Sequence, residues 1–469
     1  MISFDTLPDE VLLAIFNSYL CGCQNIQEKA EAWQSLVHVC RRWRSIVFGS
    51  PRHLDLQLVC TTRTRTRDTL DVWPAFPLII WYFSNPTGSV DNIIAGLEHR
   101  DRVCQIHLVD IPSSDVEIIL AEMQQPFPEL IYLGLESNGE TVPVVSDSLL
   151  GGSAPSLYFL VLSRVRFPGL PKLLSFATHL GALVLSNIPH SGYFSPDTLA
   201  TAFSTLTSLD YLVIEFQSPR SCPNSASRRP PPPARPVLPV LTRFYFKGVS
   251  EYLEDFLALI DAPQLHDTSI ALFNDIVFDM PQFVQFISRT LTSRAPETLS
   301  AYITLRDGAA RVNLSSQRSG SGRLHVEILC RGLDWQVSVL EQVCTSCLPP
   351  LSMLQDLYIN KDPYSEPGRK DDIEDRLYLE LLYPFTGVKN LYLSEAFSPH
   401  IAPALQELVE GRTTVVLPAL QNIFLEGFES SEPVQEGIRQ FVVARQAGGH
   451  PIEISRWTNP ELDKIRGSS

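Results

Sequence analysis

Few side chains in this sequence combine the residue types and spacing that chemistry requires. Cys344 and Cys347 form a Cys-x-x-Cys pair, which could supply two of the four ligands of a tetrahedral zinc site. A second pair is missing and the nearest preceding histidine is His325, so two buried thiols near a helix end are the simpler interpretation. We therefore expect neither a metal site nor a bound cofactor.

The cysteines and the N-terminal residues also indicate the cellular compartment of the protein. The nine cysteines are an odd number at irregular spacing, and Asp5, Asp9 and Glu10 occupy the region in which a secretory leader would lie. We expect reduced thiols and a cytoplasmic or nuclear protein. The longest unbroken apolar run, residues 78–83, is far shorter than the roughly 20 residues of a membrane-spanning helix, so no membrane segment is expected.

Catalytic motifs are missing from their usual contexts. The glycine-rich stretch 319–322 lacks the Lys-Ser/Thr end of a phosphate-binding loop and the flanking glycines of a nucleophile elbow. None of the ten histidines stands in a His-Glu-x-x-His motif or a recognisable triad context. We expect a protein that is not an enzyme. The alternative is a hydrolase that would keep its activity after deletion of residues 1–56.

The charge balance restricts the classes of partner. Lys and Arg number 37 against 52 Asp and Glu, which gives −15 at pH 7 and argues against a general nucleic-acid binder, because phosphates require a cationic face. Residues 1–67 carry 8 basic and 6 acidic side chains, a net charge of +2, so the remainder is at −17. This acidity either keeps a long chain soluble or attracts a basic partner.

Two polar segments each have a simple and a functional interpretation. Residues 218–239 contain eight prolines and four arginines, which predicts an exposed, polyproline-prone loop. Residues 230–235 also fit the Pro-x-x-Pro-x-Arg pattern of ligands for SH3-type grooves. The alternating arginines of residues 63–67 could contact an acidic partner, but a solvated linker before a helix at residues 68–73 is the simpler interpretation.

The N-terminal stretch carries the pattern of three short helices. Pro8 suits a first helical position, and Asp9 and Glu10 place negative charge at the positive end of the helix dipole. A second periodic stretch at residues 33–40 leads into the basic cluster at residues 41–44. Apolar residues of the first helix recur at Val11, Leu12, Ile15, Phe16, Tyr19 and Leu20. Three such helices cannot bury all of this surface, so we expect a partner to cover part of it.

This stretch resembles an F-box. It reads Leu-Pro-x-Glu-x-Leu-x-x-Ile-Phe at residues 7–16, Val-Cys-Arg-Arg-Trp at residues 39–43, and Ser-Pro at residues 50–51 before an apolar strand. The resemblance covers residues 4 to about 56; residues 21–31 depart from it as a longer link between the first two helices. It implies a trihelical module that docks onto the small Skp-type adaptor of a Skp–cullin–F-box (SCF) ubiquitin ligase.

The resemblance also implies roles for individual residues. Glu10 and Trp43 match positions that stabilise the module itself. The positions that would contact the adaptor are Leu7, Pro8, Leu12, Ile15, Phe16, Leu20 and Val39. The alternative is a helical cap whose apolar face packs on the rest of this chain.

Beyond residue 100 a Leu-x-x-Leu-x-Leu pattern recurs, with other apolar residues at some positions. The mean period is about 29 residues, and the steps range from 23 to 34. Such a period with one strand per unit is the signature of leucine-rich repeats. The copies begin at residues 103, 130, 157, 180, 209, 241, 354, 388 and 420, with weaker copies at 265, 299 and 324.

Helix-forming stretches lie between these strands. A capping box predicts a helix from Ser114 to Leu120. Further helices are expected at residues 195–203, 251–260, 281–287, 372–382 and 436–443. A strand and a helix in each repeat predict an α/β stacked solenoid behind the N-terminal module. The combination resembles the F-box-plus-repeat families that are expanded in mushroom-forming (basidiomycete) fungi.

The expected organisation has four parts. The F-box occupies residues 1–56, followed by a linker and first repeat-like cap at residues 57–102. The irregular leucine-rich repeats occupy residues 103–455 and contain the proline-rich loop at 218–239. A C-terminal tail follows at residues 456–469.

The repeats predict a possible target-binding face. In each strand the first, fourth and sixth residues face the core, so by alternation the fifth lies on the opposite, concave side. After residue 240 that position is aromatic at Tyr245, Tyr358, Tyr392 and Phe424. A row of exposed aromatics is typical of protein-binding surfaces. The alternative is that a neighbouring segment, such as the tail from Arg456, covers them.

These expectations describe the substrate-receptor subunit of an SCF-type ubiquitin ligase. The F-box would bind the Skp-type adaptor and, through it, the cullin, while the repeats would bind an unidentified protein target. A non-proteolytic interaction scaffold is the alternative. Neither nucleic acid nor a membrane is expected as a partner.

Overall fold

The computed structural model divides the chain into two compact units. Unit 1 comprises Met1–Phe194 and Thr201–Leu209, and unit 2 comprises Ser195–Ala200 and Asp210–Ser469. The residues that the structure describes are 7–82, 88–139, 141–221, 235–273, 279–292, 299–316, 323–348, 351–361, 375–408, 416–426 and 432–458. Most of the expected proline-rich loop, at 222–234, and the glycine-rich stretch 319–322 lie outside these residues.

Unit 1 begins with three helices and continues as alternating strands and helices. The helices are α1 (Asp9–Cys21), α2 (Ile26–Val39) and α3 (Arg41–Gly49). The following elements are β1 (Leu58–Thr61), α4 (Thr66–Val72), β2 (Leu78–Tyr82), α5 (Val90–Leu97), β3 (Val103–Ile111), α6 (Ser113–Glu122), β4 (Tyr132–Ser137), β5 (Phe159–Ser163), α7 (Leu170–Phe176) and β6 (Ala182–Ile188). Strands β1 to β6 are neighbours in chain order and pair in parallel.

Local features define where the first two N-terminal helices begin. Pro8 is the N-cap of α1 rather than its first helical residue. The side chain of Asn25 accepts a hydrogen bond from the Glu28 backbone N–H at 2.8 Å, so α2 begins at Ile26. The link between α1 and α2 is therefore Gly22–Asn25, and the longer link expected over residues 21–31 is wrong.

The leucine pattern forms the core of the unit 1 sheet. The alternate strand residues Leu133 and Leu135 of β4, and Leu160 and Leu162 of β5, are buried on one face. Residues between them lie on the other face, which we call the open face. Residues 57–102, expected as a linker and cap, contain β1 and β2, so two further strands precede the first predicted repeat.

Helix α2 joins the N-terminal module to this sheet. Ala30 of α2 is buried in one cluster with Val59, Ile79 and Cys104, which lie on β1, β2 and β3. The Trp33 indole N–H donates a hydrogen bond to the Gln57 carbonyl at 3.0 Å. One face of the module therefore packs on the rest of the chain, as the cap interpretation required.

Unit 2 continues the strand–helix alternation. Its first helix, α8 (Pro196–Phe203), contributes residues to both units. The other elements are β7 (Tyr211–Phe216), β8 (Arg243–Gly248), α9 (Ser250–Leu259), β9 (Asp267–Phe273), α10 (Pro281–Thr292), β10 (Leu299–Arg306), β11 (Ala309–Ser316), β12 (Arg323–Leu329), α11 (Leu333–Gln342), β13 (Leu354–Lys361), α12 (Asp375–Leu382), β14 (Asn390–Leu393), α13 (Ser398–Glu407), β15 (Asn422–Glu426), α14 (Glu432–Ala447) and β16 (Glu453–Trp457).

The strand order of unit 2 departs from a simple repeat. The order is β7-β8-β9-β12-β11-β10-β13-β14-β15-β16. Strand β11 pairs antiparallel with both β10 and β12, whereas β12 pairs in parallel with β9, and β10 with β13. The weaker copies predicted at residues 299 and 324 are indeed strands, but they are not successive repeats, because β11 reverses the chain between them.

Most of the helices predicted between the strands are present. Ser195 accepts a hydrogen bond from the Thr198 backbone N–H at 3.2 Å, which caps α8. The capping box expected at Ser114 is wrong, because α6 begins at Ser113 with Pro112 as N-cap and without a side-chain cap. In the described parts of the chain, no helix is long and apolar enough to cross a membrane.

Candidate protein-binding surfaces

One apolar row of α1 forms the interior of the three-helix module. Leu12, Phe16 and Leu20 are 0%, 1% and 2% exposed. The Phe16 ring packs against the Trp43 ring of α3 with a centroid distance of 4.7 Å. The expectation that these three side chains contact an adaptor is corrected accordingly: in this fold they hold the helices together, because their apolar surface is already buried.

A second apolar row on α1 faces solvent. Val11, Ile15 and Tyr19 follow one another at four-residue spacing and are 42%, 44% and 53% exposed. Val39, at the end of α2, is 58% exposed. Of the predicted contact residues, Pro8, Ile15 and Val39 are therefore accessible, and Leu7 is half-buried. Val11 and Tyr19 extend the exposed row.

An ion pair fixes the position of the exposed row. The Arg42 guanidinium of α3 lies 2.6 Å from the Asp9 carboxylate in the first turn of α1, and it also donates to the Leu7 carbonyl. Trp43, predicted to stabilise the module, packs on Phe16. Glu10 is exposed, and its carboxylate adds negative charge to the first turn of α1.

In unit 2, four strands carry a ladder of stacked aromatic rings on the sheet face opposite their buried apolar residues. The ring centroids are 4.4 Å apart for Tyr302 and Tyr358, 4.1 Å for Tyr358 and Tyr392, and 4.4 Å for Tyr392 and Phe424, and the rings are within 11° of parallel. Tyr302 is 38% exposed, and the other three are half-buried. We call these four residues the aromatic ladder.

Trp457 of β16 covers part of the ladder. Its ring meets Tyr358 and Tyr392 edge-to-face at 5.8 and 5.4 Å, and its N–H donates to the Leu393 carbonyl at 3.3 Å. Desolvation raises the pKa of Tyr358 above its usual value, and the neighbouring tyrosines add to the shift. The covering is partial, so the aromatic rings are neither fully buried core nor fully open surface.

Tyr245 lies apart from the ladder. Its ring contacts Tyr211 at 5.7 Å, and the Arg243 guanidinium lies 4.7 Å from the centre of the Tyr211 ring. Strands β9, β12 and β11 separate Tyr245 on β8 from Tyr302 on β10. The row of aromatics predicted after residue 240 is therefore interrupted, and Tyr302 is the ladder member that the sequence pattern missed.

A polar ladder runs beside the aromatic one. The Asn390 side-chain amide donates to the Asp356 carboxylate at 2.7 Å, and the Asn422 side-chain amide donates to the side-chain oxygen Oδ1 of Asn390 at 2.7 Å. Asp356 is buried. These bonds satisfy polar groups on adjacent strands, so they fix the register of β13, β14 and β15, on which the stacking depends.

Comparison with known proteins bears on the N-terminal module. Residues 4–57 match the family model described as F-box-like. The N-terminal helices form an F-box-like domain. Among solved structures, the chain is similar to the leucine-rich repeat-containing protein LegL7 from Legionella pneumophila, with 13% identity and a TM-score of 0.27, over 82% of this chain and 97% of that chain. No curated protein matches this chain.

The F-box-like domain is followed by an array of strands and helices whose strands carry the Leu-x-x-Leu-x-Leu pattern. On the open face of unit 1, next to the domain, three rings stack: His107 lies 4.7 Å from Trp81 and 4.2 Å from Tyr132. Of these three residues, only His107 is the fifth residue of a predicted Leu-x-x-Leu-x-Leu strand. Tyr132 lies two positions earlier in its strand, so a pattern restricted to the fifth position missed it.

Cys344 and Cys347 lie in a π-helical turn directly after α11. Both are buried and neither forms a disulfide, which confirms two buried thiols near a helix end. Burial raises the pKa of Cys347 to about 12, and the nearby Glu254 contributes. Among the described residues, no group of three His, Cys, Asp or Glu side chains could hold a metal ion.

Proposed function

We propose that this chain is the substrate receptor of an SCF-type cullin ubiquitin ligase. The F-box-like match at residues 4–57, combined with the solvent-exposed row of α1, carries the proposal. The repeat array supplies the second protein-binding surface that a receptor needs. None of the described cysteines forms a disulfide, which supports a reducing compartment such as the cytoplasm or nucleus.

The proposed mechanism is tethering. The F-box-like domain binds a Skp-type adaptor, the adaptor holds the cullin, and the array holds the target. Such linkage raises the local concentration of target lysines near the ubiquitin-transferring enzyme, so no covalent step on this chain is required. The resemblance to the F-box-plus-repeat families of basidiomycete fungi stays a prediction.

The exposed row of α1 is the surface we assign to the adaptor. Ile15 lies at its centre, between Val11 and Tyr19, and Pro8 immediately precedes the helix. Val39, at the end of α2, is a further exposed apolar residue. A different helix of the module contacts the array: Ala30 of α2 packs on Val59, Ile79 and Cys104, and Trp33 of α2 donates a hydrogen bond to the Gln57 carbonyl.

The aromatic ladder is the surface we assign to the target. Exposed rings are enriched where proteins bind one another, and stacking already holds these rings in place, which lowers the entropy lost on binding. Tyr358 and Tyr392 lie at its centre, and Phe424 ends the row. Tyr245 forms a separate aromatic contact with Tyr211 and could extend the surface.

Adaptor binding is tested with Ile15→Asp in the full chain. The expected loss of affinity for a purified Skp-type adaptor is about 30-fold or more, since a central apolar anchor contributes on the order of 2 kcal/mol. The matched control is Ile118→Asp on α6, because Ile118 is 51% exposed and lies outside the F-box-like domain. Equal binding by the two variants would remove the adaptor assignment.

Target binding is tested with the double variant Tyr358→Ala and Tyr392→Ala. We expect adaptor affinity to be retained and proteins captured by the intact chain under proteasome inhibition to be lost. Tyr383→Ala is the control, since Tyr383 is 43% exposed but stands outside the ladder. Unfolding of the double variant, or unchanged capture, contradicts the assignment. If captured proteins do not change in level when the cullin is depleted, the scaffold alternative replaces the receptor.

A further inference from the structure

Unit 1 exposes an apolar patch at the beginning of two neighbouring strands. Ile131, just before β4, is 48% exposed, and Tyr158 and Phe159 at the start of β5 are 45% and 40% exposed. The three residues are adjacent, because the backbone N–H groups of Tyr158 and Phe159 both donate to the Ile131 carbonyl, at 2.8 and 2.9 Å. Side chains of this size are seldom exposed together without a partner.

The patch continues along the open face through further rings. Phe159 lies 5.0 Å from Tyr158 and 6.1 Å from Tyr132, whose ring stacks on His107. Gly134 makes room for this arrangement: a Cβ at that position would lie 2.9 Å from the Tyr132 hydroxyl and 3.0 Å from its ring. The Tyr132 ring therefore lies along β4 over Gly134. We call Ile131, Tyr132, Tyr158 and Phe159 the β4–β5 surface.

Carboxylates stand at both ends of this surface. Glu129 precedes Ile131, and Glu136 follows Gly134 on the open face of β4; both are exposed. Glu129 also acts electrostatically on Cys104, whose carbonyl accepts the Ile131 backbone N–H. Over residues 68–194 the sequence has 13 acidic and 5 basic side chains, a net charge of −8. Arg164, at the end of β5, is engaged with the Gly139 carbonyl.

We propose that the β4–β5 surface binds an extended segment of the target protein that carries alternating cationic and apolar side chains. The aromatic rings receive the apolar side chains, and Glu129 and Glu136 receive the cationic ones. Charge complementarity selects this partner, since an acidic segment would meet like charges at both ends. The inference rests on the proposed function for the origin of the segment, and it names the class of sequence that a target must present.

The test uses the full chain and three fluorescent ten-residue peptides. In the first peptide, lysine and phenylalanine alternate with glycine spacers; the second replaces lysine by glutamate, and the third replaces phenylalanine by alanine. We expect the first peptide to bind and the other two to bind at least about tenfold more weakly, because each lacks one of the two interactions.

Variants of the chain test whether the first peptide binds to the β4–β5 surface. The double variant Tyr158→Ala and Phe159→Ala should lower the affinity for the first peptide about tenfold, and Glu129→Lys should lower it about fivefold. The controls are Phe176→Ala and Glu122→Lys, which change a ring on α7 that is 52% exposed and an exposed carboxylate on α6. Affinity for the Skp-type adaptor is measured in parallel and should not change in any of these variants.

Three results overturn the inference. Equal binding of the lysine and glutamate peptides would show that charge does not select the partner. Equal weakening by Glu122→Lys and Glu129→Lys would show that net charge alone attracts the peptide. Retained binding after loss of the two rings would place the site elsewhere. Each result leaves the adaptor experiment unaffected, so failure here is distinct from failure of the receptor assignment.

Discussion

Ile15 and Phe16 are neighbours on α1, yet truncating each should have a different consequence. Phe16 is 1% exposed, whereas Ile15 is 44% exposed. Burial of a phenylalanine removes roughly 200 Å² from water, which at about 25 cal/mol per Å² sets an upper bound of about 5 kcal/mol. Because alanine keeps one carbon and the site relaxes, Phe16→Ala should destabilise the F-box-like domain by about 3–4 kcal/mol.

Ile15→Ala should leave the fold nearly intact. Its side chain is already partly in water, so the expected loss of unfolding free energy is below about 1.5 kcal/mol. The adaptor affinity should nevertheless fall by about tenfold or more, as for a central interface residue. Urea unfolding followed by tryptophan fluorescence measures stability, since Trp43 contacts Phe16. Calorimetric titration with the adaptor measures binding.

Phe16→Leu tests whether apolar packing alone accounts for the effect of Phe16→Ala. Leucine keeps most of the apolar volume, so it should restore most of the stability lost in Phe16→Ala, and adaptor affinity with it. A Phe16→Ala variant of unchanged stability but lost adaptor binding would refute the reasoning. That result would show that Phe16 contacts the adaptor and does not stabilise the core of the domain.

Three other perturbations test the array. Gly134→Ala should push the Tyr132 ring off His107 and cost about 1 kcal/mol of unfolding free energy, visible by near-ultraviolet circular dichroism and urea titration. Burial lowers the pKa of His107 below its usual value of 6.5 in the folded chain. As the pH falls through 6.5, the unfolded chain therefore binds more protons than the folded chain, and the free energy of unfolding decreases. In urea titrations, His107→Gln should reduce this pH dependence. In a thiol titration at pH 8, the exposed Cys21 and Cys40 should react quickly, and an equally fast reaction of the buried thiols would contradict the fold. The buried thiols are Cys60, Cys104, Cys330, Cys344 and Cys347.

The presence of three N-terminal helices followed from local patterns, but the start of α2 and the buried face of α1 did not. Both rows of α1 are apolar: one contains Leu12 and Phe16, the other Val11 and Ile15. Helical periodicity places these residues in two adjacent stripes and cannot tell which stripe faces α3. Contact with Trp43, which comes 27 residues after Phe16 in the chain, makes that choice.

The strands of the array were predictable where the leucine pattern is regular. Strand β11 was not predicted, because its apolar residues Ala310, Val312 and Leu314 alternate with polar residues. A Leu-x-x-Leu-x-Leu template does not detect this period of two. Strand β2 was visible only as the longest apolar run, residues 78–83. The order of β10 and β12 depends on long-range pairing, which periodicity within one strand does not encode.

The inserted antiparallel strand changes how this part of the array can evolve and fold. In an ordinary pair of repeats, Leu391 lies beside Ile423, 32 residues later, but Ile270 lies beside Val326, 56 residues later. Elsewhere, gain or loss of one repeat leaves neighbouring pairings unchanged. Between β9 and β13 no single strand can be removed without breaking two interleaved pairings. We therefore expect this stretch to fold as one block and the number of repeats to vary only on either side of it.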